Sequence, residues 1–81
     1  MHRQFMGERK CRNFWVRYYL LKERSASGEI YGVGMERDGE GMDLPDLTPS
    51  QKRAQALLEN LIRGQVTPVS LRDVVDDWLL T

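Results

Sequence analysis

The chain of 81 residues contains one cysteine, one histidine and no long hydrophobic run. A single cysteine excludes an internal disulfide bond and a zinc site built from several cysteines. No apolar stretch approaches the roughly 18 residues of a transmembrane helix, and no apolar segment follows the charged N-terminus as it would in a signal peptide. We therefore expect a soluble cytoplasmic protein that has no membrane partner.

The chain also has no net charge, because 12 basic side chains balance 12 acidic ones. The basic and acidic side chains are not evenly distributed along the chain. Residues 1–24 hold seven basic and two acidic side chains, a charge of +5, whereas residues 25–81 hold five basic and ten acidic side chains, a charge of −5. A chain divided in this way can neutralise itself on folding, or it can present a basic surface to an acidic partner.

The length allows one domain, which the sequence places at residues 13–81. Residues 1–12 are polar and aperiodic, so we predict a loose basic N-terminal tail. The next segment, residues 14–22, is rich in aromatic and β-branched side chains and predicts a strand. After a turn that ends at Gly28, residues 29–37 predict the returning strand of an antiparallel β-hairpin.

Both faces of the first predicted strand are apolar, and two helices can cover only one of them. The second predicted strand places Gly32 and Gly34 on one face, which leaves a trough for a large side chain such as an aromatic one. A two-stranded sheet is barely stable alone, so a third strand from the tail or pairing of hairpins across a dimer would stabilise it. Residues 38–46, rich in glycine and acidic residues, predict a connecting loop.

Two amphipathic helices are predicted after this loop. Thr48 is the expected N-cap of the first, Pro49 its first residue, and Gly64 its left-handed C-cap. The second begins at Thr67 or Ser70, and the sequence leaves this choice open. Apolar side chains follow helical spacing in both helices, at Ala54, Leu57, Leu58, Leu61 and Ile62 in the first and at Leu71, Val74, Val75, Trp78 and Leu79 in the second.

We predict an α+β fold of order ββαα, in which a β-hairpin is followed by two antiparallel helices packed on each other. A third, N-terminal strand is left open. Trp78 is expected to anchor the core.

Three segments resemble a known family: Tyr18-Tyr-Leu-Leu-Lys-Glu, Tyr31-Gly-Val, and Val66-Thr-Pro-Val-Ser-Leu-Arg-Asp-Val-Val-Asp-Asp-Trp-Leu. They are similar to a small family of Firmicutes proteins catalogued as a domain of unknown function. The resemblance covers roughly residues 16–80 and leaves the tail outside. It implies a small stand-alone protein of clostridial-type bacterial origin. It implies no activity, cofactor or catalytic residue.

No catalytic or metal site is predicted. Asp73, Asp76 and Asp77 lie on one side of the second helix, but no basic or metal-binding partner accompanies them, and we interpret them as a solvated face. Cys11 and His2 lie in the predicted tail, where neither has a defined partner. We therefore expect a protein that is not an enzyme, with no cofactor and no small-molecule substrate.

Two binding functions are open. The first is a protein-interaction module, possible self-association included, because one apolar face of the hairpin lacks a cover. The alternative is single-stranded nucleic-acid binding, since basic and aromatic side chains are interleaved near the N-terminus. A pI near 6.6 is low for a nucleic-acid module and favours the first. The candidate interaction residues are Arg9, Lys10, Arg12, Trp15, Arg17 and Tyr19.

Overall fold

The computed structural model describes residues 1–80 as four β-strands followed by two α-helices. The elements are β1 (His2–Cys11), β2 (Phe14–Ser25), β3 (Gly28–Arg37), β4 (Glu40–Thr48), α1 (Gln51–Arg63) and α2 (Pro68–Leu79). All neighbouring strands are antiparallel, in the order β1-β2-β3-β4. The α+β class is confirmed, but the order is ββββαα rather than ββαα.

The central hairpin of β2 and β3 forms as predicted. The two strands pair from Arg17 opposite Glu36 to Ser25 opposite Gly28. Gly28 has a φ of 127°, a value that L-residues rarely adopt, and the Ser25 hydroxyl donates to its carbonyl at 2.7 Å. The turn residues and the β-branched and aromatic residues of β2 and β3 therefore predict the same hairpin that the structure shows.

Two predicted irregular segments are strands instead. Residues 1–12 are not a loose tail: β1 pairs with β2 from His2 opposite Lys22 to Cys11 opposite Phe14, with a bulge at Met6. Residues 38–46 are not a connecting loop either, since they turn into β4, which pairs with β3. The third strand left open by the sequence is thus present, together with a fourth.

The pairing of β3 with β4 is interrupted beside Gly32. Tyr31 pairs with Thr48 and Val33 with Leu44, so residues 45–47 of β4 bulge opposite one residue of β3. A Cβ on Gly32 would lie 2.6 Å from the Pro45 Cα. The position therefore requires glycine because another backbone approaches too closely for a side chain.

The helices cover one face of the sheet, which we call the inner face. Most buried apolar side chains form one cluster between this face and the helices. Its members are Cys11, Val16, Tyr18, Leu20, Tyr31, Val33, Met35, Leu44, Ala54, Leu57, Leu58, Leu61, Leu71 and Val75. Burial of each large aliphatic side chain contributes about 2 kcal/mol to folding, so the cluster accounts for the position of the helices.

The start and end of α1 differ from the prediction. Ser50, not Thr48, is the N-cap: its hydroxyl accepts from the backbone N–H of Arg53 at 3.2 Å. Thr48 belongs to β4, and its hydroxyl accepts from the Ser50 N–H at 3.1 Å. At the other end Gly64 is right-handed, with a φ of −83°, and the left-handed residue is Gln65, with a φ of 52°.

Helix α2 begins after Thr67, which is the N-cap and resolves the alternative with Ser70, although its side chain makes no capping hydrogen bond. Trp78 packs partly buried against the core rather than inside it, and Leu79 is 52% exposed, so both differ from the prediction. The Arg53 guanidinium lies 4.8 Å from the Trp78 ring and joins the first turn of α1 to the last turn of α2.

The helices therefore run antiparallel, but each packs mainly on the sheet and not on the other helix. Neither described helix is long and apolar enough to span a membrane.

Candidate functional site

The face of the sheet opposite the helices, which we call the outer face, collects most of the candidate residues. Cross-strand partners share a face, and alternate residues of a strand point to opposite faces. Since Val16, Tyr18 and Leu20 are buried under the helices, their neighbours in β2 point outward. The outer face carries Arg3, Phe5, Glu8, Lys10, Trp15, Arg17, Tyr19, Leu21, Gly34, Glu36 and Asp43.

Three aromatic side chains lie on this face. Phe5 and Trp15 are 53% and 52% exposed, and Tyr19 is half-buried between strands. Phe5 and Tyr19 pack edge to face, with ring centroids 5.8 Å apart and planes at 69°. This is the favoured geometry for an aromatic pair, and it holds both rings on a rigid sheet.

An arginine crosses the centre of the outer face. The Arg3 guanidinium lies 4.3 Å from the Tyr19 ring centroid, and its Nη2 atom lies 3.4 Å from Asp43 Oδ1. Arg3 is on β1 and Asp43 on β4, so this contact, the Arg3–Asp43 strap, spans the sheet. Asp43 is the cross-strand partner of Gly34, and a Cβ on Gly34 would lie 2.5 Å from Asp43 Oδ1. Because Gly34 has no side chain, the Asp43 carboxylate can lie over β3.

Leu21 lies on the same face and is only 1% exposed. Its Cδ2 atom would be 3.4 Å from a Cβ at Gly34. The trough predicted at the two glycines is therefore occupied at Gly34 by Leu21 and the Asp43 carboxylate, not by an aromatic ring. The Oδ1 atom is enclosed and accepts no hydrogen bond from the described residues, so Arg3 balances its charge without an aligned hydrogen bond.

A second charged group divides the aromatic residues. Arg17 lies between two carboxylates, with Nε 3.5 Å from Glu8 Oε2 and Nη1 3.9 Å from Glu36 Oε1. These exposed pairs each stabilise the fold by less than about 1 kcal/mol. The position of these three charged side chains is more informative than their energy. They form a row across the outer face that separates Trp15 from the Phe5–Tyr19 pair. A shallow concavity of about 220 Å³ lies beside Trp15 and is lined by Arg17, Glu36, Asp38 and Gly39.

The structure brings four of the six candidate residues together. Lys10, Trp15, Arg17 and Tyr19 share the outer face. Arg9 pairs with Val16 and so lies on the inner side, at the margin of the sheet.

Arg12, the sixth candidate, is in the turn between β1 and β2, with a φ of 58°. Sequence reasoning missed Arg3, Phe5 and Asp43, because they lie in the predicted tail and loop. Arg3 lies between the polar residues His2 and Gln4, so no alternation of apolar and polar side chains marked this part of β1.

The remaining reactive groups are dispersed. Cys11 is buried, and its Sγ atom lies 3.9 Å from the Gln65 carbonyl oxygen, to which it donates. His2 is at the opposite end of β1, about 30 Å away for nine strand steps. Burial raises the pKa of Tyr18 to about 12, and its hydroxyl donates to the Val66 carbonyl at 2.8 Å. This hydroxyl fixes the segment between the helices.

The aspartates of α2, at positions 73, 76 and 77, are exposed, as predicted. Among residues 1–80, no three His, Cys, Asp or Glu side chains are placed to hold a metal ion.

Comparison with known proteins confirms the resemblance to a family of unknown function. The matched range is wider than residues 16–80, because it begins at residue 2 and includes β1. No curated protein and no solved structure matches the chain. Residues 2–81 match the model described as "Family of unknown function (DUF6514)", and the chain therefore belongs to that family.

Proposed function

We propose that the protein is a non-enzymatic interaction module that binds protein through the outer face of its sheet, and that a second copy of the chain is the simplest partner. The observation that carries the proposal is the half exposure of Phe5 and Trp15 on a face that no described helix covers. Aromatic side chains fixed on strands contribute contact area at little cost in conformational entropy.

The charge on this face favours protein over nucleic acid. Three cations face four carboxylates, Glu23 included, and two of the cations, Arg3 and Arg17, already form ion pairs with carboxylates of the same chain. A polyanion requires cations that can exchange counterions for phosphates. A face that is nearly neutral and locally paired instead suits another mixed surface of protein type.

A second copy is complementary to this face. Glu8 and Arg3 lie on either side of Phe5 along β1. A two-fold axis across the strands near Phe5 would place Glu8 against Arg3 of the second copy, twice in the dimer. Four strands about 4.8 Å apart and about 33 Å long give a face of roughly 600 Å², somewhat below the 800 Å² per partner of a standard interface. We therefore expect weak, concentration-dependent association.

The test is light scattering over a wide range of protein concentration. We expect the mean mass to rise toward that of a dimer, and we expect Phe5→Ser and Trp15→Ser to abolish the rise. Leu79→Ser is the matched control, because Leu79 is equally exposed, at 52%, but lies on α2. A wild-type protein that stays monomeric throughout would overturn self-association. Association that survives both outer-face substitutions would place the interface elsewhere.

Nucleic-acid binding remains the alternative, because aromatic rings and arginines on an open four-stranded sheet are also how some domains bind single strands. Titration of a labelled single-stranded oligonucleotide at low salt separates the two. Salt-sensitive binding that Trp15→Ser abolishes would replace the protein-interaction proposal. A cytoplasmic location and a clostridial-type bacterial origin also remain predictions.

A further inference from the structure

We propose a second interaction site, independent of the outer face: the unpaired edge of β1 accepts an extended acidic segment of another protein as a fifth strand. β1 is the first strand in the sheet order and is ten residues long, and most of its side chains are exposed. At its free edge, the one away from β2, no strand among residues 1–80 pairs with it. A row of backbone N–H and C=O groups is therefore available to a new strand, apart from the Lys10 carbonyl, which accepts from Gln65 Nε2 at 3.5 Å.

The two edges of the sheet differ in this respect. β4, at the other edge, contains Pro45 and bulges over residues 45–47, where Asp46 has a φ of 60°. Proline and bulges interrupt the regular ladder that strand addition requires. β1 contains no proline and has one bulge, at Met6, so its second half from Gly7 to Cys11 is regular. Of the two edges, only that of β1 is suited to pairing with an added strand.

Unpaired cations are concentrated at that regular half. Arg9, Lys10 and Arg12 form no ion pair with the described residues, whereas cations elsewhere on the sheet do. Arg9 points to the inner side and Lys10 to the outer side, so a carboxylate on either face of an added strand meets one of them. An added strand with acidic residues near its end would be held by charge on both faces.

The same charges identify the occupant. A second copy of β1 would bring its own Arg9 and Lys10 to the edge, and like charges on neighbouring strands are destabilising. Self-pairing through this edge is therefore disfavoured, in contrast to the outer face, where cations and carboxylates are present in nearly equal numbers. Main-chain hydrogen bonds provide affinity for an extended segment of any sequence, and carboxylates provide the selection.

The test uses the whole protein and a labelled peptide in which pairs of glutamates alternate with pairs of valines, so that both faces of the added strand carry carboxylates. Two matched peptides accompany it: one N-methylated at every residue, which removes the donors from both edges but keeps the charge, and one with lysine in place of glutamate. We expect salt-sensitive binding of the first peptide only. Amide hydrogen exchange should slow along β1 when that peptide is present and should not change in α2.

Protein variants locate the site. Combined Arg9→Glu and Lys10→Glu should weaken peptide binding about tenfold, because each reversal replaces a weak surface attraction by repulsion. Lys52→Glu is the control, since Lys52 is an exposed cation of α1, away from the sheet edge. Trp15→Ser should leave peptide binding unchanged, so failure of this proposal and failure of the outer-face proposal are distinguishable.

Three results would overturn the inference. Equal binding of the N-methylated peptide would show that the contact is not strand addition. Unchanged binding in the double charge reversal, with circular dichroism confirming its fold, would place the site elsewhere. Tighter binding of an oligonucleotide of equal charge, lost in the same double variant, would assign the edge to nucleic acid instead.

Discussion

Gly32 provides the sharpest test of the sheet, because the bulge of β4 passes over it. In Gly32→Ala the new methyl group would overlap the Leu44 carbonyl oxygen and lie 2.6 Å from the Pro45 Cα. Both obstacles are backbone atoms, so no side-chain rotation relieves them. We expect β4 to move away from β3 at this point, with loss of pairing beside Leu44.

The magnitude follows from two opposing effects. Overpacking of this kind costs roughly 1–3 kcal/mol, whereas alanine lowers the entropy of the unfolded chain and recovers about 0.4–1 kcal/mol. The net loss in the free energy of unfolding is about 1.3 kcal/mol. For a domain of this size that loss lowers Tm by roughly 5–10 °C.

The assay is urea and thermal unfolding at fixed protein concentration, with Gly7→Ala as the matched control. A Cβ on Gly7 would meet only the tip of Ile62, the Cδ1 atom, at 3.4 Å, so we expect this variant to be at least as stable as the wild type. Equal stability of the two alanine variants would refute the proposed close approach of β4 to Gly32. Exposed glycines, such as Gly39, do not test this point.

Two further predictions concern single hydrogen bonds. Ser50→Ala should cost about 1 kcal/mol in urea unfolding, because it removes a cap, whereas Thr67→Ala should cost little, since Thr67 makes no side-chain capping bond. The raised pKa of Tyr18, about 12 in the folded state, predicts full stability below pH 10 and its loss as pH rises toward 12, because only the unfolded chain releases the proton there. Tyr18→Phe should flatten this loss, and an unchanged pH profile would contradict the assignment.

The central elements were predictable because their sequence pattern is decisive. β2 alternates buried residues such as Val16 and Tyr18 with outward ones, and α1 places Leu57, Leu58 and Leu61 on one side. In both, local propensity and hydrophobic period agree with the tertiary structure. The part of the outer face that β2 contributes was predictable for the same reason, because the alternation in β2 places Trp15 and Tyr19 on the face opposite Val16 and Tyr18.

The edge strands were missed because their own sequences carry little of the signal. β1 buries only Cys11, and β4 contains a glycine, two aspartates and a proline. Both form because β2 and β3 present unpaired edges to them. One local signal existed: Asp38 and Gly39 have φ of 51° and 82°, as a tight primed hairpin turn requires, and Asp-Gly is the typical sequence for that turn. Recognition of that turn would have predicted β4.

The helix caps were misplaced for a different reason. Thr48 and Ser50 have similar intrinsic preference for the N-cap, and sequence alone favours the threonine before a proline. Pairing of Thr48 with Tyr31 in the sheet settles the choice, because a residue held in a strand cannot also begin the helix. Tertiary contacts override local preference in the same way at Gln65, which adopts the left-handed conformation predicted for Gly64.

β1 connects the two proposed surfaces. Its side chains are exposed on both faces for most of its length, so its own burial contributes little to the core, and its free energy of formation comes mainly from pairing with β2. Yet it supplies Phe5 to the outer face and both Arg9 and Lys10 to the edge. Both binding proposals therefore depend on β1, a strand that adds little to the core but holds residues of both proposed surfaces.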